Sequence, residues 1–156
     1  MDQVREAALK AKEASYRLAT LTLEDRNLAL EKIALILGTR SEDILAANSR
    51  DMEAARAGGL SQVLIKRLRY DRSKLEESLE SIRSLQSQEE VVGKLISRTE
   101  LDDGLILDKV SCPIGVIGVV FEARPEALVQ ISCLCLRSGN AVLLKGGTEA
   151  RETNEA

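Results

Sequence analysis

Residues 116–147 are VIGVVFEARPEALVQISCLCLRSGNAVLLKGG, and the fold of the protein is predicted from this stretch. Its first six residues, 116–121, are apolar and rich in β-branched side chains on both faces, as are strands buried inside parallel sheets. The apolar residues of 125–136 recur at helical spacing, and Pro125 suits a first helical turn. A second short apolar strand, 141–144, follows and leads into Lys145. Strand, helix and strand in this order are typical of a βαβ unit, so we predict an α/β fold of the nucleotide-binding type.

The first ninety residues are predicted to form a series of helices. Apolar residues recur every three or four positions, which places them on one side of each helix. In the first helix these residues, from Val4 to Leu21, form a single stripe that is expected to face the core. The predicted helices cover residues 4–21, 23–37, 41–57, 61–68 and 72–86.

Residues 95–110 are expected to form a β-hairpin. Two extended runs, 95–100 and 105–110, flank Asp103-Gly104, and an Asp-Gly pair tolerates the tight turn of two antiparallel strands. The second run alternates imperfectly between apolar and polar residues, which suggests that both of its faces meet apolar surface. Since two strands alone are marginally stable in water, we expect this arm to pair with a further strand, from this chain or from a partner subunit.

Composition excludes several classes of function. Lys and Arg number 22 and Asp and Glu 25, so the net charge is 22 − 25 = −3, and a general nucleic-acid binder is not expected. The chain has no histidine, which removes Ser-His and Cys-His catalytic pairs and most zinc sites from it. No apolar run approaches the roughly 18 residues of a membrane span, and three cysteines without paired spacing fit a reducing compartment. We therefore expect a cytoplasmic protein that binds no nucleic acid, membrane or metal.

Charged residues follow both of the apolar strands, at the carboxyl ends where α/β sheets bind ligands. Glu122 and Arg124 follow the first strand, and the Arg124 guanidinium could hold a carboxylate or phosphate as a bidentate pair. Lys145 ends the second strand and could pair with ribose hydroxyls or a phosphate, while the two glycines after it let backbone amides approach a ligand. An ordinary helix start and a simple tight turn with an exposed lysine are the alternatives for these two segments.

The two strands have the composition of interior strands, yet two parallel strands cannot form a stable doubly wound sheet. The final residues, 148–156, resemble the beginning of another helix. We therefore expect the chain to be the N-terminal piece of a longer protein, or to depend on a partner for the missing strands. Its cysteines offer no nucleophile, because Cys133 and Cys135 lie among apolar helix residues and Cys112 has no activating neighbour.

Three stretches closely resemble the gamma-glutamyl phosphate reductase family (glutamate-5-semialdehyde dehydrogenases) of the aldehyde dehydrogenase superfamily: SCPIGVIGVVFEAR at 111–124, LRSGNAVLLKGGTEA at 136–150 and ILAANSRDMEAARAGGL at 44–60. The resemblance implies an aldehyde-dehydrogenase-like fold. Residues 1–156 would be the N-terminal part of a Rossmann-like NADP-binding domain, with a helical first half and a β-hairpin arm at 93–111 for association into a homo-oligomer. The catalytic domain would lie outside this chain.

The resemblance also implies a reaction, namely the NADPH-dependent reduction of L-glutamyl 5-phosphate to L-glutamate 5-semialdehyde and phosphate in proline biosynthesis. In the implied mechanism a cysteine thiolate displaces phosphate, hydride from the nicotinamide reduces the thioester, and nearby donors stabilise the oxyanion. That cysteine would lie beyond Ala156, so the resemblance implies no catalytic residue within this chain and no activity of the chain alone.

Individual positions follow from the superfamily pattern Pro-x-Gly-Val-x-x-Ile-x-Pro-Trp-Asn-x-Pro, which aligns with residues 113–125. Its Trp-Asn pair falls on Glu122 and Ala123, so the usual oxyanion asparagine is not at its superfamily position. Lys145 matches the superfamily lysine that contacts the adenosine ribose. Thr148, followed by Glu149, stands at the position where an acidic residue selects the unphosphorylated ribose. A neutral hydroxyl at this position is compatible with the 2′-phosphate of NADPH. Arg124 is the implied substrate-binding residue. The implied cofactor-binding residues are Val120, Glu122, Ala123, Lys145, Gly147 and Thr148.

Two alternatives remain at this stage. The chain could be a non-catalytic, truncated homologue that binds nucleotide or associates with another subunit through its arm. It could also belong to another acyl-phosphate or aldehyde dehydrogenase of the superfamily, although the sequence Glu122-Ala123-Arg124-Pro125 argues against this.

Overall fold

The computed structural model describes residues 2–156 of the chain. None of the helices within these residues has the length and apolar character needed to cross a membrane. The elements, in chain order, are α1 (Asp2–Leu18), α2 (Leu23–Thr39), α3 (Ser41–Ala57), α4 (Gln62–Leu68), α5 (Arg72–Ser87), β1 (Leu95–Asp102), β2 (Leu105–Val110), β3 (Val116–Val120), α6 (Pro125–Arg137), β4 (Ala141–Lys145), a 3₁₀ turn (Thr148–Ala150) and α7 (Arg151–Glu155).

The predicted helices are confirmed, and local side chains stabilise the first turns of α2, α4 and α5. Thr22 caps α2: its hydroxyl accepts the Asp25 N–H at 3.1 Å, and the Asp25 carboxylate accepts the Thr22 N–H at 3.1 Å. This reciprocal cap is the reason that the chain divides here, so that α1 ends at Leu18, three residues earlier than predicted. Asp71 caps α5 in a similar way, by accepting the Lys74 N–H at 3.2 Å.

The helical half is built around three clusters of buried apolar side chains. One joins α2, α5 and α6, a second joins α3 and α4 to the turns that follow β3 and β4, and a third surrounds Tyr70. The stripe predicted for α1 is only partly buried, because only part of α1 lies against β3 and β4. Leu18 is half-buried, whereas the side chain of Val4 is 74% exposed.

The predicted βαβ unit is present. β3 and β4 are parallel neighbours in a register that runs from Val116 opposite Ala141 to Val120 opposite Lys145, and α6 is their crossover helix. The expectation that both faces of these strands are buried is wrong for residues 2–156, since β3 is only half-buried and Val120 is 79% exposed. The physical reason is that each strand has one hydrogen-bonded neighbour in this part of the chain.

The predicted hairpin is also confirmed. β1 and β2 are antiparallel, and the Arg98 guanidinium donates to both carboxylate oxygens of Asp108 directly opposite, at 2.7 and 2.6 Å. Gly104 has φ of +74°, which the turn requires and glycine adopts without steric cost. Every residue of both strands is exposed, so the hairpin extends away from the rest of the described chain as an arm.

The segment that leads into the arm is held by two buried arginines and a partly exposed carboxylate, here called the arginine clamp: Arg26, Arg137 and Glu90. Arg26 of α2 is 1% exposed and pairs with Glu90, whereas Arg137 of α6 is 3% exposed and lies 3.5 Å from the same carboxylate. The Arg137 guanidinium also donates to the carbonyl oxygens of residues 85, 88 and 89, at 3.1, 2.7 and 2.9 Å. The clamp therefore ties two helices to the segment 85–90.

Candidate functional site

The two turns in which sequence analysis placed candidate residues meet at one edge of the β3–β4 pair. Val120 and Lys145 end neighbouring parallel strands in register, and the N–H of Phe121 donates to the carbonyl of Lys145 at 3.1 Å. The segments 121–125 and 145–149 therefore leave the sheet side by side. This is the carboxyl edge of the strands, where ligands bind in open α/β sheets.

The turn after β3 contains an unusual backbone conformation. Ala123 has φ of +46°, and it is the one non-glycine residue among those described with a positive φ. Its side chain is buried, and its N–H donates to Oε1 of Glu149, in the turn after β4, at 2.5 Å. A left-handed conformation costs an L-residue about 1–2 kcal/mol, so the hydrogen bond to Glu149 compensates for part of this cost.

Side chains pack closely against the two glycines after β4. A Cβ atom on Gly146 would lie 2.6 Å from Nδ2 of Asn154 and 3.3 Å from the ring of Phe121. A Cβ atom on Gly147 would overlap the carboxylate of Glu149. From the sequence, a ligand is expected to approach the backbone at these glycines. In the structure, protein side chains approach it, and the Glu149 carboxylate comes nearest to Gly147.

The residues expected to bind cofactor divide into exposed and buried ones. The exposed ones are Val120, Glu122, Lys145 and Thr148, whereas Gly147 is half-buried and Ala123 is buried. None of the ion pairs formed among residues 2–156 includes Glu122 or Lys145, so both charged groups face solvent without a partner. An exposed ammonium group and an exposed hydroxyl are donors that suit a phosphorylated ribose.

Arg124, next to Ala123 in the same turn, also borders a separate cavity. It lines a cavity of ≈ 180 Å³ between the first turns of α5 and α6, together with Lys74, Glu126 and Gln130. Lys74 pairs with Oε1 of Glu126 at 3.0 Å, whereas Oε2 of Glu126 is buried without a hydrogen-bond partner. Arg124 is an exposed residue, which leaves it accessible to an anionic group. Its expected role as a substrate-binding residue stays a prediction.

The buried network that orders the chain after β4 was not predicted. Asp51 of α3, which is 6% exposed, accepts the N–H and the hydroxyl of Thr153 at 2.8 and 2.6 Å and the N–H of Glu152 at 3.2 Å. Asn48, one turn earlier, donates to the Thr153 hydroxyl at 3.1 Å. Asp51, from another helix, thus accepts the free N–H groups at the start of α7, as local N-cap residues do for α2 and α5. No local sequence pattern marks it.

The cysteines behave as expected of structural residues. Cys133 and Cys135 are buried in α6, and burial raises the pKa of the Cys133 thiol to about 11 and also raises the pKa of Cys135. Both thiols are therefore protonated at neutral pH and are poor nucleophiles. Cys112 is exposed, and the residues that the structure describes contain no cluster of possible metal ligands.

The chain is similar in sequence to known proteins that are longer than it is. No protein-family model matches it. The gamma-glutamyl phosphate reductase of Acetivibrio thermocellus is 52% identical over 152 residues, which cover 97% of this chain and 35% of that protein, and the reductase of Pelotomaculum thermopropionicum is 54% identical over 151 residues, with the same coverage. The chain is similar to the first third of gamma-glutamyl phosphate reductase. It spans about a third of the length of the curated relatives it matches.

Solved structures of the same kind of protein are also similar to this chain. The crystal structure of the gamma-glutamyl phosphate reductase of Thermotoga maritima superimposes with a TM-score of 0.92 at 36% identity, over 96% of this chain and 36% of that chain. A putative aldehyde dehydrogenase of Bacillus subtilis has a TM-score of 0.72 at 18% identity, over 98% of this chain and 31% of that one. The fold is therefore that of the N-terminal part of an aldehyde-dehydrogenase-like protein, as the resemblance of residues 111–124 and 136–150 to gamma-glutamyl phosphate reductase implies.

Proposed function

We propose that the polypeptide containing this chain reduces L-glutamyl 5-phosphate to L-glutamate 5-semialdehyde with NADPH and releases phosphate, as a step of proline biosynthesis. The observation that carries the proposal is 52% identity to a gamma-glutamyl phosphate reductase across 97% of the chain. Because the chain corresponds to about a third of such a protein, the activity is proposed for the intact polypeptide and not for these residues alone.

The carboxyl edge of β3 and β4 is the proposed cofactor site. NADPH, when bound, supplies the hydride. The Lys145 ammonium is exposed without an ion-pair partner and would donate to the ribose hydroxyls or the 2′-phosphate, and the exposed hydroxyl of Thr148 places no negative charge beside that phosphate. Val120, whose side chain is 79% exposed, offers apolar surface to the same ligand. Glu122, Ala123 and Gly147 complete the site in the two turns.

This chain contributes positioning rather than the nucleophile. The buried thiol of Cys133, with a pKa of about 11, does not supply a thiolate at neutral pH. Ala123 has no polar side chain, and its N–H already donates to Glu149, so it does not stabilise an oxyanion either. We expect Arg124 to hold an anionic group of the acyl phosphate, while the nucleophile and the oxyanion donors come from outside residues 1–156.

The hairpin arm, residues 93–111, is the proposed contact between identical subunits. Both of its strands are fully exposed and each retains a free edge among the described residues, which is where another strand adds to a sheet. Residues 1–156 would then be the N-terminal part of the NADP-binding domain with this arm attached. The protein is proposed to act in the cytoplasm.

The proposal is tested with the intact polypeptide in the reverse direction, with glutamate 5-semialdehyde, inorganic phosphate and NADP⁺ as substrates and NADPH absorbance as the readout. The wild-type protein should form NADPH only when phosphate is present, and no turnover would contradict the function. Replacing Lys145 by Ala should weaken NADPH binding about tenfold, the loss expected for one charge-assisted hydrogen bond, without altering the fold. The matched control is Lys32→Ala, which removes an exposed lysine from α2 and should leave the affinity unchanged.

A non-catalytic module that binds nucleotide by itself is the second candidate. The observation in its favour is that residues 2–156 contain three apolar clusters of their own. Calorimetry on the isolated 156-residue chain separates the two candidates. Weak or undetectable NADPH binding agrees with a segment of a larger reductase, whereas micromolar affinity favours the module.

A further inference from the structure

The carboxylate of Glu149 is turned inward, between the two turns of the proposed cofactor site. Oε1 accepts the N–H of Ala123 at 2.5 Å, and this is the one hydrogen bond that the Glu149 side chain makes among the described residues. No ion pair formed within residues 2–156 includes Glu149. The inward position therefore depends on a single backbone N–H group that belongs to the neighbouring turn.

That N–H belongs to a residue whose conformation needs support. Ala123, at φ of +46°, reverses the chain between β3 and α6, with Glu122 on one side of it and Arg124 on the other. An L-residue prefers to leave this conformation unless its surroundings hold it there. The bond from Glu149 joins the turn after β4 to this residue, 26 positions earlier in the chain.

The Glu149 carboxylate also accounts for the presence of a glycine at position 147. Its φ of −74° and ψ of 158° are open to any amino acid, so its backbone does not require glycine. A Cβ atom at this position would overlap both carboxylate oxygens of Glu149. The missing side chain of Gly147 is therefore the space in which the Glu149 carboxylate lies.

From these three observations we infer that Glu149 is a positioning residue of the proposed nucleotide site: its carboxylate fastens the turn after β3 to the turn after β4, and Gly147 leaves the room that this contact needs. The inference rests on the proposed function for the location of the nucleotide. The Glu149 side chain is half-buried in this position, against Ala123 and Gly147. Displacing its carboxylate would release the N–H of Ala123.

The test compares five variants of the intact polypeptide and one control variant by their dissociation constants for NADPH, measured from fluorescence quenching well below the melting temperature. Glu149→Ala should weaken NADPH binding about fivefold to thirtyfold, the factor that corresponds to the cost of a left-handed alanine. Glu149→Gln retains a side-chain oxygen for the Ala123 N–H and should bind NADPH as the wild type does. Adding Ala123→Gly to Glu149→Ala should recover most of the loss, because glycine adopts positive φ freely.

Gly147→Ala tests the steric half of the inference. It should weaken NADPH binding at least as much as Glu149→Ala does, and the double variant Gly147→Ala/Glu149→Ala should be no weaker than Glu149→Ala, because no carboxylate is left to displace. Gly38→Ala is the matched control, since a Cβ atom there meets nothing within 4 Å and the site is distant in the chain.

Hydrogen exchange provides a readout that does not depend on the cofactor. The Ala123 amide should exchange faster in Glu149→Ala and Gly147→Ala than in the wild type, but not in Glu149→Gln. Unchanged NADPH affinity in Glu149→Ala would overturn the inference while the reductase function stands. The same holds if the losses of affinity in Gly147→Ala and Glu149→Ala multiply in the double variant. A wild-type protein that binds no NADPH would instead overturn the proposed function, and the exchange data would then describe a structural contact only.

Discussion

Removing the side chain of Glu90 should destabilise the protein strongly, although this residue is partly exposed. In the arginine clamp a single carboxylate faces two guanidinium groups, Arg26 at 1% and Arg137 at 3% exposure. Nε and Nη1 of Arg26 and Nη1 of Arg137 are already buried without a hydrogen-bond partner. In Glu90→Ala, Arg26 would retain no acceptor among the described residues and would become an unpaired buried cation.

The size of the effect follows from burial. Removing one partner of a fully buried ion pair typically costs about 3–5 kcal/mol. The side chain of Glu90 is 34% exposed, so water can partly replace it, and Arg137 keeps its three backbone carbonyl acceptors. We therefore expect Glu90→Ala to lower the free energy of unfolding by about 2–4 kcal/mol.

The measurement is urea denaturation of the intact polypeptide, together with hydrogen exchange of the segment 85–95. The matched control is Glu89→Ala, next in the chain, which removes a carboxylate that is 90% exposed and paired with Lys94 at 3.3 Å. That change should cost at most about 1 kcal/mol, as exposed ion pairs do. If the two variants lose the same stability, the buried guanidinium groups are not what Glu90 stabilises.

The pKa of Glu90 determines how the stability difference between wild type and Glu90→Ala should depend on pH. Burial acts against its charged form, but the N–H groups of Val92 and Val91, with Arg26 and Arg137, outweigh this and hold the pKa of Glu90 below its ordinary value of 4.5. A carboxyl with a lower pKa in the folded state contributes stability above its unfolded pKa and loses it as the pH falls through the folded value. The part of the stability gap between wild type and Glu90→Ala that comes from the carboxylate charge should thus be full at pH 7, shrink below about pH 4.5 and be lost in stronger acid.

Three further predictions concern single residues. Asp51→Asn removes the charge that holds the start of α7 and should cost about 2–3 kcal/mol of unfolding free energy, with faster amide exchange in residues 151–155; unchanged exchange there would contradict the role given to Asp51. At pH 8 iodoacetamide should modify exposed Cys112 but not Cys133, whose thiol stays protonated because burial raises its pKa to about 11, and both should react in urea. Gly104→Ala should destabilise the arm by about 1 kcal/mol, seen as faster exchange in residues 95–110, whereas Gly38→Ala inside α2 should be neutral or slightly stabilising.

Local patterns in the sequence were enough to predict the elements and their order. The helix starts depend on groups a few residues apart, as in the reciprocal cap of Thr22 and Asp25, and the hairpin turn depends on the φ of one residue, Gly104. The βαβ unit follows from the spacing of apolar residues. The position of the candidate site also follows, because parallel strands end at a common edge and charged residues stand directly after both of them.

Contacts between distant residues could not be predicted in this way. Glu149 and Ala123 are 26 positions apart, Asp51 and Thr153 are 102 apart, and Arg26 and Glu90 are 64 apart. A carboxylate that accepts a distant backbone N–H leaves no periodic trace in the sequence, since any acidic residue on any neighbouring element could fill the role. The extent of burial is likewise a property of the packed layers: the apolar strand β3 has the composition of an interior strand, but its exposure depends on which other elements lie against it.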